Sequence, residues 1–185
     1  MDILDVIHTR HSVSRVLPDP VPPGLIQTLL SAAVQAPNHF RVRPWRFFVI
    51  SGDSRVRLGE VMAQSLRARQ PASDESALAA ERSRPLRAPV LIAVAVDPPA
   101  EPKVVEIENI CAAAAAVENM LLAAHALGLG AMWRTGPAAR DPKVKAFLGI
   151  AAEQELIAFV YVGYPDEMPV QPPRPSYEDR VVWME

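Results

Sequence analysis

The apolar positions along the chain repeat in two ways, and each predicts a different kind of element. Spacings of three and four residues are typical of helices with one buried face, and they occur in 2–10, 22–36, 58–65, 105–127 and 142–148. Short continuous apolar runs are typical of buried strands, and they occupy 47–50, 89–96, 129–133 and 156–162. Helices and strands therefore alternate along residues 1–185 as a single domain, with no internal repeat.

The longest predicted helix, 105–127, is apolar almost all round. Its apolar part is interrupted only by Glu118, Asn119 and His125. A helix without a polar face lies at the centre of a fold or at a subunit interface. Five consecutive alanines make it too weakly hydrophobic for a good membrane span. The proline-rich tail from Pro165 cannot fold alone, so we expect it to lie against its own domain or another chain.

The first helix carries a stripe formed by Ile3, Val6, Ile7 and Arg10. This spacing predicts an apolar face that packs on the core, with a guanidinium delivered to the edge of that core. The stretch 70–87 is polar and rich in arginine, which predicts a mobile or partly helical surface segment.

Composition excludes several classes of protein. The net charge of −2 is unlike that of a generic polycation for nucleic acid or an anionic membrane. A single cysteine, Cys111, excludes an internal disulfide and a cysteine-based zinc site, and its alanine-rich surroundings predict an inert core residue. The four histidines lack metal-ligand spacing, so no metal site is predicted. No signal peptide is visible at the start, and we expect a soluble, cytoplasmic protein.

Familiar catalytic motifs are absent from the sequence. There is no G-x-S-x-G elbow, no H-E-x-x-H pair and no Walker loop. The Gly128-x-Gly130-x-x-Trp133 run lacks a third glycine and follows a helix, so it does not indicate a dinucleotide-binding Rossmann loop. Ser12 beside His11 is a poor nucleophile and base pair, because adjacent residues rarely orient in that way.

Three segments carry residue types that suit a flat, anionic, partly apolar ligand. The first is Arg10-His11-Ser12, where a guanidinium and a hydroxyl could hold a phosphate. The alternative is a helix end whose Arg and His satisfy carbonyl groups. The second segment is the proline-bounded loop from Gln35 to Trp45, which carries His39. The third is Leu127 to Gly136, where glycines allow close backbone approach beside Trp133 and Arg134. Each tryptophan could equally be a core residue.

These three segments, in this order and spacing, resemble the nitroreductase family of FMN-dependent oxidoreductases. The marks are an R-x-S after the first helix, an A-P-x(6)-P-W loop before the first strand and a late G-L-G-x-x-W-R segment. The similarity covers essentially the whole chain and is closest to the minimal YdjA-like bacterial members, which share the A-P-x-H form of the loop.

The resemblance implies an α+β, nitroreductase-like fold, with a central, mostly antiparallel sheet flanked by helices. It also implies an intertwined homodimer with FMN at the interface. Arg10, His11 and Ser12 would contact the phosphate and ribityl side of FMN, Gln35 and His39 would come from the second protomer, and Trp133, Arg134 and Thr135 would close the pocket. Arg41 and Arg43 stand where larger members often have Asn and Gln.

The activity that the resemblance implies is an FMN-dependent NAD(P)H oxidoreductase. It would reduce nitro compounds, quinones or similar electron-poor acceptors in a ping-pong sequence through FMN N5. No catalytic nucleophile is required, because the protein supplies position and electrostatics. Arg10 and Arg15 are candidates for the positive charge near N1 and O2 of the flavin. The competing hypotheses are an FMN-binding sensor or carrier without efficient turnover, and a flavin-free structural dimer.

Overall fold

The computed structural model describes residues 2–167 and 173–185, and a four-stranded sheet is at its centre. The strands are β1 (Trp45–Ser51), β2 (Val90–Val96), β3 (Gly130–Arg134) and β4 (Glu155–Gly163). Their order is β1-β2-β4-β3, and every neighbouring pair is antiparallel. The predicted α+β class with a mostly antiparallel sheet is confirmed.

The described residues form six helices around the sheet. They are α1 (Ile3–Thr9), α2 (Pro23–Ala33), α3 (Asp53–Arg69), α4 (Glu75–Ser83), α5 (Glu106–Ala126) and α6 (Pro142–Leu148). Single 3-10 turns occupy His39–Arg41, Arg84–Arg87, Pro137–Arg140 and Glu178–Arg180. Asp2, Asp74 and Asp141 cap α1, α4 and α6, each accepting a hydrogen bond from a backbone N–H of the first turn.

Strand β2 is buried on both faces, as its continuous apolar run predicts. Alternate side chains of the strand enter two separate cores. The first core lies between the sheet and helices α2 and α5, and the second lies on the opposite face, where α3 and α6 pack. Each face of the sheet is therefore covered by helices.

Helix α5 is the central helix of the first core. It packs against α2 and the sheet through a row of alanines together with Val117 and Met120. By length and composition alone it could cross a membrane. Burial of one side of the helix against the sheet accounts for that apolar composition within the fold.

Two expectations about local structure are wrong. Cys111 is exposed, because it lies on the side of α5 that faces away from the sheet. In α1 only Val6 of the apolar stripe is buried, while Ile3 and Ile7 are exposed. The stretch 70–87 is partly helical, one of the two forms predicted for it, and it contains α4 and a 3-10 turn.

Candidate cofactor site

The edge of strand β3 brings the first and third predicted segments together. The backbone N–H of Val13 donates to the carbonyl of Ala131 at 3.0 Å, which fixes the chain after α1 along this edge. Gly130 and Gly163 are paired across β3 and β4. A Cβ at Gly130 would lie 2.8 Å from Val13 Cγ1, and one at Gly163 would lie 2.8 Å from Val16 Cγ2. The glycines therefore admit the chain's own N-terminal segment.

Arg10 is held between a helix and the C-terminal tail. It follows α1 directly, and its Nε lies 3.2 Å from Glu118 Oε1 of α5. The guanidinium of Arg174 donates to the carbonyl of Arg10, across 164 positions of sequence. The Arg174 guanidinium therefore contacts the backbone of Arg10, two positions before the exposed Ser12. Guanidinium and hydroxyl groups are residue types that suit a phosphate. Sequence reasoning missed Arg174; an arginine in a tail that must lie against a folded surface was the available signal.

His11 lies against a second histidine at the end of α5. The rings of His11 and His125 meet edge to face with centroids 5.8 Å apart, and His125 Nε2 lies 2.8 Å from the hydroxyl of Thr9. Burial lowers the pKa of His125 below its usual value, and the positive charges of His11 and Arg10 lower it further. Burial and the neighbouring positive charges therefore favour the neutral form of the His125 imidazole.

Trp133 and Arg134 project to opposite faces of β3, because successive strand residues alternate. Trp133 packs against the first core and donates from Nε1 to the carbonyl of Ile157 at 3.2 Å. Arg134 lies over the ring of Tyr161, with Cζ 5.9 Å from the ring centroid. Thr135 follows the strand and is exposed.

Arg134 belongs to a second arginine group. A cavity of about 170 Å³ is lined by Arg84, Arg87, Arg134 and Thr135 on its polar side. A neighbouring opening of about 430 Å³ shares Arg87 and Arg134 and adds Arg15. Sequence reasoning missed Arg84 and Arg87, since the stretch that holds them was interpreted as a plain surface segment.

Tyr161 forms part of the wall of this cavity. Burial raises the pKa of its phenol, and the positive charges of Arg134, Arg87 and Arg84 oppose that rise. The phenol therefore stays neutral at physiological pH, and the arginines keep their net positive charge.

The second predicted segment lies apart from the other two. Gln35 is exposed and donates to the carbonyl of Ser31 at 3.3 Å. His39 lies 3.2 Å from Glu108 of α5 and stacks on Phe40. Among the described residues, no hydrogen bond, ion pair or ring contact joins Gln35 or His39 to the other six predicted site residues. That a second protomer contributes them stays a prediction.

Comparison with known proteins places the fold in a family. The antiparallel sheet and its helices define an α+β protein. Its two arginine groups have the chemistry that suits an anionic ligand. The model of the nitroreductase family matches residues 7–164, which is most of the chain. The chain belongs to the nitroreductase family, and with it to the oxidoreductases.

Individual relatives agree with this assignment. YdjA of Escherichia coli K12, a protein named for a proposed NAD(P)H nitroreductase activity, is 37% identical over 166 residues, 89% of each chain. The nitroreductase-like protein of Bacillus cereus has a TM-score of 0.86 at 26% identity, covering 100% of this chain and 97% of its own. A Desulfovibrio desulfuricans protein solved in complex with FMN has a TM-score of 0.76 at 27% identity, covering 100% and 97%.

Proposed function

We propose that this protein is an FMN-dependent NAD(P)H oxidoreductase that reduces nitro compounds, quinones or similar electron-poor acceptors. The observation that carries the proposal is the contact of the Arg174 guanidinium with the Arg10 carbonyl, in a segment that continues along strand β3, the strand that carries Arg134. A relative with the same fold holds FMN, and YdjA is named for the activity. We expect the enzyme to work in the cytoplasm.

The first arginine group suits the phosphate of FMN. A phosphate dianion needs charged donors from more than one direction, and Arg10 and Arg174 come from opposite ends of the chain. Ser12 offers a hydroxyl, and His11 lies directly beside Arg10 in sequence. Glu118 offsets part of the positive charge of Arg10.

The second arginine group suits the polar edge of the flavin ring. Its cavity combines Arg84, Arg87 and Arg134 with the apolar side chains of Met62 and Phe159. A flat ring with a polar edge needs this mixture of surfaces. When bound, FMN supplies the redox chemistry, because it accepts a hydride from a reduced nicotinamide and passes two electrons to the acceptor. The three guanidinium groups would favour negative charge on that edge.

Exposed apolar residues support a homodimer. Ile3, Leu4 and Ile7 of α1 are exposed, as is Ile107 of α5, and α1 packs against α5. Phe40 lies exposed in the turn that also contacts α5. An exposed apolar surface of this kind is typical of subunit interfaces. A second protomer on this surface would also bring Gln35 and His39 to a neighbouring site.

The absorbance spectrum of the purified protein tests the proposed function. We expect the flavin bands of bound FMN, bleaching when NADH or NADPH is added without oxygen, and their return when a nitroaromatic or a quinone follows. Colourless protein that takes up no added FMN contradicts the proposal. Bound FMN that neither nicotinamide bleaches indicates a carrier or sensor instead.

A further inference from the structure

The carboxylate of Glu108 and the imidazole of His39 form a close pair between α5 and the strained loop before β1. His39 Nδ1 lies 3.2 Å from Glu108 Oε1. At that distance a ring N–H facing the carboxylate is attracted, whereas a ring lone pair would be repelled. In the neutral imidazole the pair therefore favours the form with its proton on Nδ1, and the other nitrogen, Nε2, is then an acceptor.

The ring of His39 is held on its other side as well. Phe40 stacks on it with centroids 4.0 Å apart and an interplanar angle of 19°. The Lys103 ammonium in turn lies over the Phe40 ring, 5.0 Å from its centroid. The imidazole is thus fixed by a carboxylate along its edge and an aromatic ring against its face.

The loop that carries His39 is under backbone strain. Phe40, Arg41 and Arg43 all have φ between 50° and 57°, which side chains other than glycine rarely adopt. Asn38 stabilises this conformation, because its Oδ1 accepts from the backbone N–H of Arg43 at 2.9 Å. Strain that the surrounding structure maintains is a frequent property of ligand-binding loops.

Glu108 also has a polar atom without a partner. Its second oxygen, Oε2, is buried, and among the described residues no hydrogen-bond donor reaches it. The carboxylate borders a cavity of about 370 Å³ whose walls include Pro37, Asn38 and His39. A buried carboxylate oxygen without a hydrogen-bond donor costs free energy. This cavity therefore suits an occupant that donates a hydrogen bond to Glu108.

We propose that Glu108 is the positioning residue of His39: it fixes the imidazole with the proton on Nδ1 and presents Nε2 as an acceptor to FMN bound in the partner protomer's site. The inference rests on the proposed function and extends it to a residue outside the family motifs quoted above. His39 would contact the cofactor, and Glu108 would act only through His39.

The tautomer of His39 tests the positioning role without reference to activity. Nitrogen-15 chemical shifts of the full chain report which ring nitrogen carries the proton, and the exposed His8 serves as an internal reference. We expect the Nδ1–H form at His39 in the wild type. In Glu108→Ala the tautomer ratio of His39 should move to that of His8. Glu106→Ala, an exposed acid in the same helix turn, is the matched control and should change nothing.

Titration of FMN into flavin-free protein, followed by fluorescence, tests the consequence. Glu108→Ala and His39→Ala should each weaken FMN about tenfold, and the double variant should be no weaker than His39→Ala alone. Glu108→Gln keeps the volume and an acceptor oxygen, so its affinity should fall less. This variant also serves if Glu108→Ala does not fold.

Three results would overturn the inference. The first is a His39 tautomer that is the same with and without the Glu108 carboxylate. The second is an FMN affinity that His39→Ala weakens while neither Glu108 variant does. The third is an unchanged FMN affinity in His39→Ala itself. None of these results affects the proposed function, which fails if wild-type protein takes up no FMN or if neither nicotinamide reduces the FMN that it holds.

Discussion

The residues that sequence alone could identify at this site are those that lie within motifs. Arg10, Ser12 and Arg134 are marked by their neighbours and spacing. Arg174 lies in a tail with no periodic pattern, and only its contact with the carbonyl of Arg10 connects it to the site. Glu108 is one of the acidic residues in the first turn of α5. Its short distance to His39 is what distinguishes it from the others.

The first prediction at this scale concerns the proposed phosphate contacts. We expect Arg10→Ala and Arg174→Ala each to weaken FMN by roughly ten- to a hundredfold, since each removes a charge-assisted contact worth about 1.5–3 kcal/mol. FMN fluorescence measures the affinity. Arg57→Ala is the control, because Arg57 is exposed on α3 and, within residues 2–167 and 173–185, donates a hydrogen bond only to Ser54. A full affinity for FMN in Arg174→Ala would exclude the tail from the site.

The second prediction concerns pH. The pKa of His125 is lower in the folded protein than its usual value of 6.5. The imidazole of His125 therefore binds a proton more readily in the unfolded chain than in the folded protein. Its contribution to folding stability is present above the usual pKa and is lost as the pH falls from there through the folded pKa. We expect flavin-free protein to lose stability between about pH 7 and pH 5. Urea unfolding of His125→Gln should show a smaller loss; equal slopes would mean that His125 does not titrate differently on folding.

At the scale of elements, periodicity predicted most of the helices and all four strands. For the helices it worked because burial of one face imposes the spacing directly, and for the strands because their buried positions form continuous apolar runs. Helix α1 was predicted too, but its apolar stripe is exposed within the chain. Helix α4 has few buried positions, so its pattern indicated only a mobile or partly helical segment. From the sequence alone, the glycines of the third segment indicate positions where a ligand could come close to the backbone. At Gly130 it is Val13 and Val16 that come close.

This packing gives a third prediction. Gly130→Ala places a Cβ 2.8 Å from Val13 Cγ1, which should destabilise the fold by about 1–3 kcal/mol through overpacking. Because Val13 leads back to Ser12 and Arg10, FMN affinity should fall as well. Thermal unfolding and FMN titration measure both effects. Gly24→Ala, where a Cβ meets no atom within 4 Å, is the control and should leave affinity unchanged. Unchanged FMN affinity in Gly130→Ala would show that the packing of Val13 on Gly130 does not position the segment that carries Arg10 and Ser12.

At the scale of the whole molecule, the predicted homodimer and its shared sites stay predictions. The argument is that Gln35 and His39 lie apart from the other site residues, while apolar side chains on α1 and α5 are exposed. The end of the tail adds Trp183 and Met184, both more than four-fifths exposed. The sequence of one chain does not define a dimer interface, because the residues that form it are recognised only as apolar side chains that stay exposed in the folded protomer.

A hybrid dimer gives the fourth prediction. Arg10→Ala and His39→Ala are unfolded together and refolded as a mixture, and activity is measured at an FMN concentration that fills wild-type sites but leaves each variant alone nearly inactive. About half of the dimers should then be mixed, and one site in each receives both wild-type residues, so roughly a quarter of all sites should recover. NADH oxidation measures the recovery, and mass spectrometry verifies the mixing. Mixed dimers without activity would place His39 at its own chain's site, and a monomer by light scattering would remove the basis of the test.

The strained loop has a consequence for how this protein would respond to selection for heat tolerance. Each left-handed residue other than glycine costs about 1 kcal/mol or more, and three of them lie within four positions, at Phe40, Arg41 and Arg43. Glycine at any of the three would relieve that cost with a single substitution. A laboratory population selected only for survival of heating should therefore accumulate glycines here early. Selection that also demands turnover should reject them, and the difference between the two lineages would measure what the loop contributes to function.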